Sequence, residues 1–456
     1  MRGKSEKIWS DVDWTIVLIY LILVSLGVSN IYSAVYNPEN PGLFNLQTEH
    51  GKQIMWIGVS MFLGLIIMFL DGSLIRQASF WIYGVIILML VVVLFMPAIN
   101  GAHSWFAIGS FGIQPSELGK LGVALALSAH LANSPPAKTR MSPSISLSYL
   151  THLFRVNWKT LVILGIPAIL VLLQPDAGTF IIFTSFILVL YREGHAGNAL
   201  LFLVIAIIIA VITLIVADTT FMLPFLKIKM GGKVGIVIAL LIMALIFLLL
   251  IRYVVLKRNR PPLYRALIGS LIVAILFVNF IEWGYSTFLD DHQKTRIDLV
   301  LGKIEDPDGE GYNINRAKAA IGSGGFSGKG YQQATLANAH QKHVPMQSTD
   351  FIFCTWSEER GFIGSFFLVL LYTILLIKIV SVAERQRSTY TRIYAYCVAG
   401  IFFYHFMINV GMAIGLAPVI GIPLPLFSYG GSQVLAFSLL LFILIKLDSE
   451  RKIVLQ

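Results

Sequence analysis

Charge and cysteine are scarce in this chain. Of its 456 residues only 13% are charged while 57% are hydrophobic, and the mean hydropathy of +0.78 excludes a soluble domain of this size. Both cysteines, Cys354 and Cys397, fall inside apolar helical runs, so no disulfide framework is implied. Acidic residues are fewer than basic ones, and a net charge of +10 would suggest nucleic acid in a soluble protein. In a membrane chain the sign is read first against loop position, where most of the excess becomes a topology signal. No nucleic-acid partner is expected; membrane lipids are.

What is present is a series of apolar runs. A helix needs about 20 apolar residues to cross the hydrocarbon, fewer where flanking residues contribute. The chain reads as an all-α polytopic membrane protein, one integral membrane domain over 1–456, with about twelve transmembrane helices. They lie at roughly 14–35, 53–70, 79–97, 117–133, 160–174, 178–192, 198–217, 234–256, 264–285, 351–379, 391–414 and 432–448. The first run is longer than a signal-peptide core and reads as an uncleaved helix. A cytoplasmic N-terminus puts Arg76, Lys138, Arg140, Arg155, Lys159, Arg192, Lys257, Arg258, Arg260, Arg265, Arg385, Arg387, Arg392, Arg451 and Lys452 on one side. The opposite loops 100–115 and 175–177 carry no Lys or Arg. Both termini are thus expected inside and 286–349 outside, as a large extracytoplasmic loop sharing its face with 100–116 and 174–179. Lys227, Lys229 and Lys233 run against this pattern.

The polar residues that break the apolar pattern are the candidates for function. Asp350 stands where the long loop meets the 351–379 run; it either caps that helix or has a partner that justifies its desolvation. Glu358 and Glu359 follow, with Arg360 the expected partner. In GAHSWFAIGSFGIQPSELGK, Pro115 and Ser116 can start a helix with Glu117 in its first turn. Lys120, one turn on, calls for pairing with Glu117, snorkelling or a function. Trp105 suits a membrane-interface anchor. In LLQPDAGTF, Asp176 suits a helix cap.

Glycines 322, 324, 325, 328 and 330 surround Lys329 in a loop whose backbone could approach a ligand, either as a phosphate nest or as an ordinary turn. The upstream NINRAKAAIGSGGF has helical spacing and a glycine stop. His340 and His343 lack a third metal ligand of suitable spacing. IGLAPVIGIPLPLFSYGGSQ, with Pro418, Pro423, Pro425, Gly430 and Gly431, interrupts an apolar region; broken backbone at membrane depth points to a cavity. These residues leave an outward cavity lined by acids and bases and do not name a substrate.

Taken in order, the motifs resemble the SEDS family of shape, elongation, division and sporulation proteins. The carrying residues are Gly101-Ala102 with Trp105, Gln114-Pro115-Ser116-Glu117 with Lys120, Gln174-Pro175-Asp176 with Gly178-Thr179, and Gly311-Tyr312. Ala320 to Gly325, Thr349-Asp350-Phe351-Ile352-Phe353, Glu358-Glu359, and Pro423 to Leu426 with Ser428 to Gly431 complete them. Gly328-Lys329-Gly330 is similar to the elongation branch rather than the division branch. The family fold usually has ten spans, so the resemblance implies a ten-helix core with an inserted helix pair at 218–265. Two positions depart from the family pattern: Ser104 stands where Arg is common before Trp105, and Pro345-Met346 where Pro-Glu is common.

The resemblance implies a peptidoglycan glycosyltransferase that polymerises lipid II with inversion and undecaprenyl pyrophosphate as leaving group. Asp350 is then catalytic, as a general base or as a ligand for a divalent cation such as Mg2+ or Mn2+. Trp105, Glu117, Lys120, Asp176 and Lys329 are the implied substrate-binding residues. A class B penicillin-binding protein transpeptidase is the implied partner, and the bacterial cell membrane the implied location. A lipid II transporter, a polymerase of the division type and a scaffold for the transpeptidase are the rival readings.

Overall fold

The computed structural model describes residues 11–36, 42, 44–97, 103–108, 111–134, 147–195, 199–217, 219–222, 229–287, 291–301, 303, 310–337, 344 and 346–452. His340, His343 and the turn residues 306–309 lie outside the described residues. The chain divides into two compact units, one of Met1–Pro135, Thr160–Val189 and Pro307–Gln456, the other of Pro136–Lys159 and Leu190–Asp306.

The first unit opens with α1 (Trp14–Ala34), α2 (Glu49–Phe69) and α3 (Gly72–Val93). Asp13 and Thr48 start α1 and α2 by accepting backbone N–H groups, from Thr15 at 3.2 Å and Gly51 at 3.4 Å. A short hairpin follows, β1 (Phe106–Ile108) and β2 (Phe111–Ile113), paired antiparallel with Ala107 opposite Gly112. Gly112 leaves room for an indole: a Cβ there would stand 3.0 Å from Trp105 Cε3. Pro115 then fixes the first turn of α4 (Pro115–Ala132), as expected from the proline-serine signal. Almost every residue of α4 is buried, because it packs against α3 and two later helices at once.

The unit continues through the second part of α5 (Leu147–Leu173), α6 (Ala177–Phe183) and the start of α7 (Phe186–Arg192). The expected single run 178–192 is therefore two short helices separated by Thr184 and Ser185. After the second unit the chain returns as α12 (Glu310–Ser323), α13 (Ile352–Glu384), α14 (Thr389–Ala413) and α15 (Gly431–Ser449). α12 is the helix expected from NINRAKAAIGS. The α4 partners are α14 and α15, while α13 packs on α1, α12 and α14, and α15 on α2. At the far ends, buried Asp448 binds Arg385, Gln386 and Arg451, and Arg385 also reaches Asp13 at 2.9 Å.

The second unit holds α8 (Ala199–Ala217), the hairpin β3 (Thr220–Met222) and β4 (Lys229–Gly231), α9 (Gly232–Val254), α10 (Arg260–Thr287) and α11 (Asp291–Val300). Helices α8, α9 and α10 pack on one another and expose large apolar side chains outward, Ile207 and Leu245 among them. Lys233 on α9 pairs with Glu282 on α10, and Tyr285 donates to Asp298 of α11 at 2.6 Å.

Among the described residues, eight helices are long and apolar enough to cross a membrane: α1, α2, α3, α9, α10 with its preceding turn, α13, α14 and α15. Shorter apolar helices cover Trp158–Leu173, Ala177–Arg192 and Val204–Val216. The chain is a multi-pass, predominantly helical membrane protein.

Candidate active site

The site depends on two breaks in regular backbone, each satisfied by protein. The first is in α13, where Gly361 takes a left-handed φ of 63° and interrupts the helix. The glycine-rich loop after α12 splints the gap. Lys329 and Gly330 donate backbone N–H groups to the carbonyls of Glu358 and Glu359, at 3.0 and 2.9 Å. Phe362 and Ile363 in turn donate to the carbonyls of Gly325 and Phe326, at 2.9 and 3.2 Å. Approach this close requires glycine: a Cβ on Gly328 would lie 2.1 Å from the Glu359 carbonyl oxygen. The backbone that this loop approaches is thus α13 itself.

The same loop shows what Glu358 and Lys329 do. Glu358 is fully buried and accepts N–H bonds from Thr335, Leu336 and Ala337 at 2.8–3.3 Å, with the Lys329 ammonium 2.5 Å away. Its partner is Lys329, while Arg360, expected as a partner for this acidic pair, serves Glu359 at 3.3 Å. The anion cradled by the loop is a side chain of the protein.

The second break is the stretch 421–430 between α14 and α15. Its free groups are met by buried polar side chains. Asn409 donates to the carbonyls of Asp350 and Ile422, both at 2.8 Å, and His405 Nδ1 donates to that of Pro423 at 3.2 Å. Tyr372 donates to Pro425 at 2.6 Å. Gln53 spans the end of the stretch, donating to the Ser428 carbonyl and accepting from Gly430 N–H, both at 3.1 Å. Ser428 donates to the Thr349 carbonyl at 2.6 Å, fastening the stretch to the residue before Asp350.

Between these supports lies a cavity of about 290 Å³. Trp105, Glu117, Asp176 and Asp350 line it together, so residues 245 positions apart in sequence share one space (350 − 105). The starts of α4, α13 and α15 all border it, through Gln114, Asp350 and Gly430. Three helix N-termini bring partial positive charge to its border, against the carboxylates of Glu117, Asp176 and Asp350 that also line it.

Asp176 does cap α6, accepting from Thr179 N–H at 2.9 Å, but its other oxygen also takes Gln114 Nε2, Ser116 Oγ and Thr179 Oγ1 at 2.8–3.0 Å. It joins two motifs about sixty residues apart as well as starting a helix. Lys120 is buried behind Glu117, donating to its carboxylate at 2.7 Å and to His405 Nε2 at 2.8 Å. An ammonium only donates and a carbonyl only accepts, so His405 is neutral with its proton on Nδ1.

Asp350 differs from the other acids. α13 begins with Phe351 as its cap residue and no side-chain cap bond, so Asp350 does not cap it. Among the described residues its carboxylate accepts no hydrogen bond, and burial pushes its pKa up to about 6. Gly421, with φ of 78°, keeps the backbone beside it; a Cβ there would be 3.3 Å from Oδ2. A half-buried, unpaired carboxylate with this pKa can take a proton near neutral pH.

Of the residues named from sequence, Lys120 stands one layer behind the cavity and Lys329 does not line it. His405 and Gln433 line it and were not singled out from the sequence. The signal for His405 was available, since an ionisable residue within a membrane run is a functional candidate by default.

Comparison with known proteins agrees with this architecture. The family model for the cell cycle proteins FtsW, RodA and SpoVE matches residues 13–229 and 263–453. The peptidoglycan glycosyltransferase RodA of Treponema pallidum is 31% identical over 437 residues, covering 93% of this chain and 94% of that protein. The peptidoglycan glycosyltransferase MrdB of Escherichia coli is 26% identical, covering 98% of this chain and 97% of that one. Among solved structures, a chain of a peptidoglycan synthase complex that coordinates polymerization and crosslinking superposes with a TM-score of 0.65 at 24% identity. It covers 96% of this chain and 98% of that one. The rod shape determining protein RodA of Thermus thermophilus gives 0.53 at 22%, covering 96% and 97%.

Proposed function

This chain belongs to the FtsW, RodA and SpoVE family of cell cycle proteins, and from that premise we infer that it is a peptidoglycan glycosyltransferase serving cell elongation and shape. It polymerises lipid II into glycan strands. The observation that carries the assignment to a site is Asp350: a carboxylate of pKa about 6, unpaired among the described residues and facing a cavity shared with Trp105, Glu117 and Asp176.

In this reading Asp350 is the general base. It takes the proton from the acceptor sugar's 4-hydroxyl as that oxygen attacks the anomeric carbon of the lipid-linked donor. Undecaprenyl pyrophosphate leaves from the opposite face, which inverts the centre. The three helix N-termini favour the charge that develops on the leaving pyrophosphate. Glu117, held in one orientation by Lys120, and Asp176, held by Gln114 and Ser116, present fixed acceptors to sugar hydroxyls. Trp105 offers an apolar ring face to the sugar or the lipid. Lys329 contributes indirectly, by fixing Glu358 and the splint beside α13.

Among the described residues no three His, Cys, Asp or Glu side chains are grouped as a ready metal centre. In the alternative to the general-base role, Asp350 would be the residue to hold a Mg2+ or Mn2+ ion, which would supply charge neutralisation of the leaving group.

The topology that fits this chemistry has both termini in the cytoplasm, the cavity on the outer face and twelve spans, as a ten-helix core plus a pair within 218–265. The neighbouring synthase complex, which couples polymerization to crosslinking, supports a class B penicillin-binding protein transpeptidase as partner. The test is glycan-strand formation from labelled lipid II by the purified protein, with and without that partner, for wild type and Asp350→Ala. Polymer from wild type alone is the expected result. Equal polymer from both removes Asp350 from the chemistry, and none from either favours lipid transport.

A further inference from the structure

Gln433 sits in the first turn of α15, is only 3% exposed, and lines the cavity. Among the described residues neither its Oε1 nor its Nε2 has a hydrogen-bond partner. Asp350 apart, the acids, the histidine and the glutamine around it are committed. Glu117 has Lys120, Asp176 has its cap and three further donors, His405 uses both ring nitrogens, and Gln53 binds Ser428 and Gly430. Gly430 keeps space open for this amide, since a Cβ there would lie 2.9 Å from Gln433 Oε1. A buried amide bare at both ends is unfavourable unless something from outside the fold completes it.

The two bare atoms specify what completes them. A phosphate oxygen would accept from Nε2 and leave Oε1 bare; a cation would do the reverse. One edge of a carboxamide presents an acceptor and a donor side by side. That edge matches a 2-acetamido sugar, whose C2 nitrogen carries a donor N–H and whose C3 oxygen, immediately adjacent, is an acceptor. Resting on the glycosyltransferase reading, we propose that Gln433 is a specificity-determining residue that grips a 2-acetamido sugar of lipid II. The acetamido N–H donates to Oε1 and Nε2 donates to the C3 oxygen. Both sugars of the disaccharide carry this vicinal pair, and the test separates them.

The experiment uses the full-length protein with three lipid-linked donors: lipid II, and analogues in which the acetamido group of one sugar or the other is replaced by acetoxy, similar in shape but without the N–H. Polymerisation is compared as kcat/KM for wild type, Gln433→Leu and Gln433→Glu. Wild type should favour acetamido over acetoxy at one of the two sugars by about tenfold or more, the value of a buried hydrogen bond left unmade. Gln433→Leu should narrow that preference to about twofold, and Gln433→Glu, which keeps the acceptor, should restore most of it. The Leu variant should melt at the same temperature as wild type or higher, because it removes a polar group that the fold leaves unpaired. If wild type shows no preference at either sugar, or if Gln433→Leu keeps it, the proposal is overturned while the polymerase reading stands. If wild type makes no polymer from lipid II, both fall.

Discussion

Lys120 and His405 meet through one hydrogen bond of 2.8 Å, ammonium to ring Nε2, with neither side chain more than 2% exposed. The ring is anchored in turn on the Pro423 carbonyl at 3.2 Å, so the broken stretch 421–430 and the Glu117 carboxylate are linked through two side chains.

Removing the cation from this chain of contacts strands a buried acid. Lys120→Met is expected to destabilise the protein by about 3–5 kcal/mol, since Glu117 is left charged without its partner. Adding Glu117→Gln should recover at least half of that loss, because the pair is then removed as a unit. Thermal unfolding of the two single variants and the double variant in detergent completes the cycle. A Lys120→Met protein as stable as wild type would mean that Glu117 finds another partner.

The raised pKa of Asp350 has two consequences with opposite signs. Activity that needs its basic form should rise with pH and level off above about 6. Stability should behave the other way. A carboxyl group whose folded pKa lies above its unfolded value of 3.8 contributes fully below that value and loses its contribution as pH rises towards 6. Above that pH, Asp350→Asn should be inactive yet more stable than wild type, by at most about 3 kcal/mol for a shift of this size. Melting curves at pH 4 and pH 7.5, with the polymerisation rate across the same range, check both. A carboxylate already satisfied in the folded state would give a less stable Asn variant.

Gly421 tests the surroundings of Asp350 without touching its chemistry. Gly421→Ala must hold a left-handed backbone at a cost of about 1–2 kcal/mol and brings a methyl group to 3.3 Å from Oδ2. We expect a small fall in melting temperature and a larger fall in kcat, with KM nearly unchanged. Equal effects on kcat and KM would indicate a general loosening of the cavity.

The splint across α13 admits no side chain. Gly328→Ala would set a Cβ 2.1 Å from the Glu359 carbonyl at a φ of 82°, and backbone on both sides leaves nothing to yield. Loss of the loop's two donors and two acceptors should expose 324–337 to protease while α1 to α4 stay protected. Limited proteolysis in detergent, read by mass of the fragments, distinguishes this local release from global unfolding.

The sequence made much of this legible where chemistry was local. Apolar length located the eight helices that are, among the described residues, long and apolar enough to cross a membrane, Pro115 started α4, and the cap expected of Asp176 is present. The i,i+3 spacing of Glu117 and Lys120 offered pairing beside snorkelling and function, and the pair is present. What stayed hidden depended on neighbours distant in the chain. Nothing around Lys329 says that its partner is Glu358, or that its glycines press on another helix rather than on a ligand. Asp350 looked equally fit to cap α13, and only the position of Phe351 decides otherwise. His405 lies inside the apolar run 391–414, and nothing local to it shows that its ring links Lys120 to the Pro423 carbonyl. Gln433 ends the glycine stretch, and only its lack of a hydrogen-bond partner among the described residues marks it.

The order of the splint and the helix along the chain matters for how the protein is made. Residues 324–330 are synthesised before Gly361, so the strip that will close the gap in α13 already exists when the gap emerges from the ribosome. A helix entering lipid with bare carbonyls at Glu358 and Glu359 would be held back by them. Here the groups that satisfy them precede the gap in the chain, so its closure waits on nothing synthesised later.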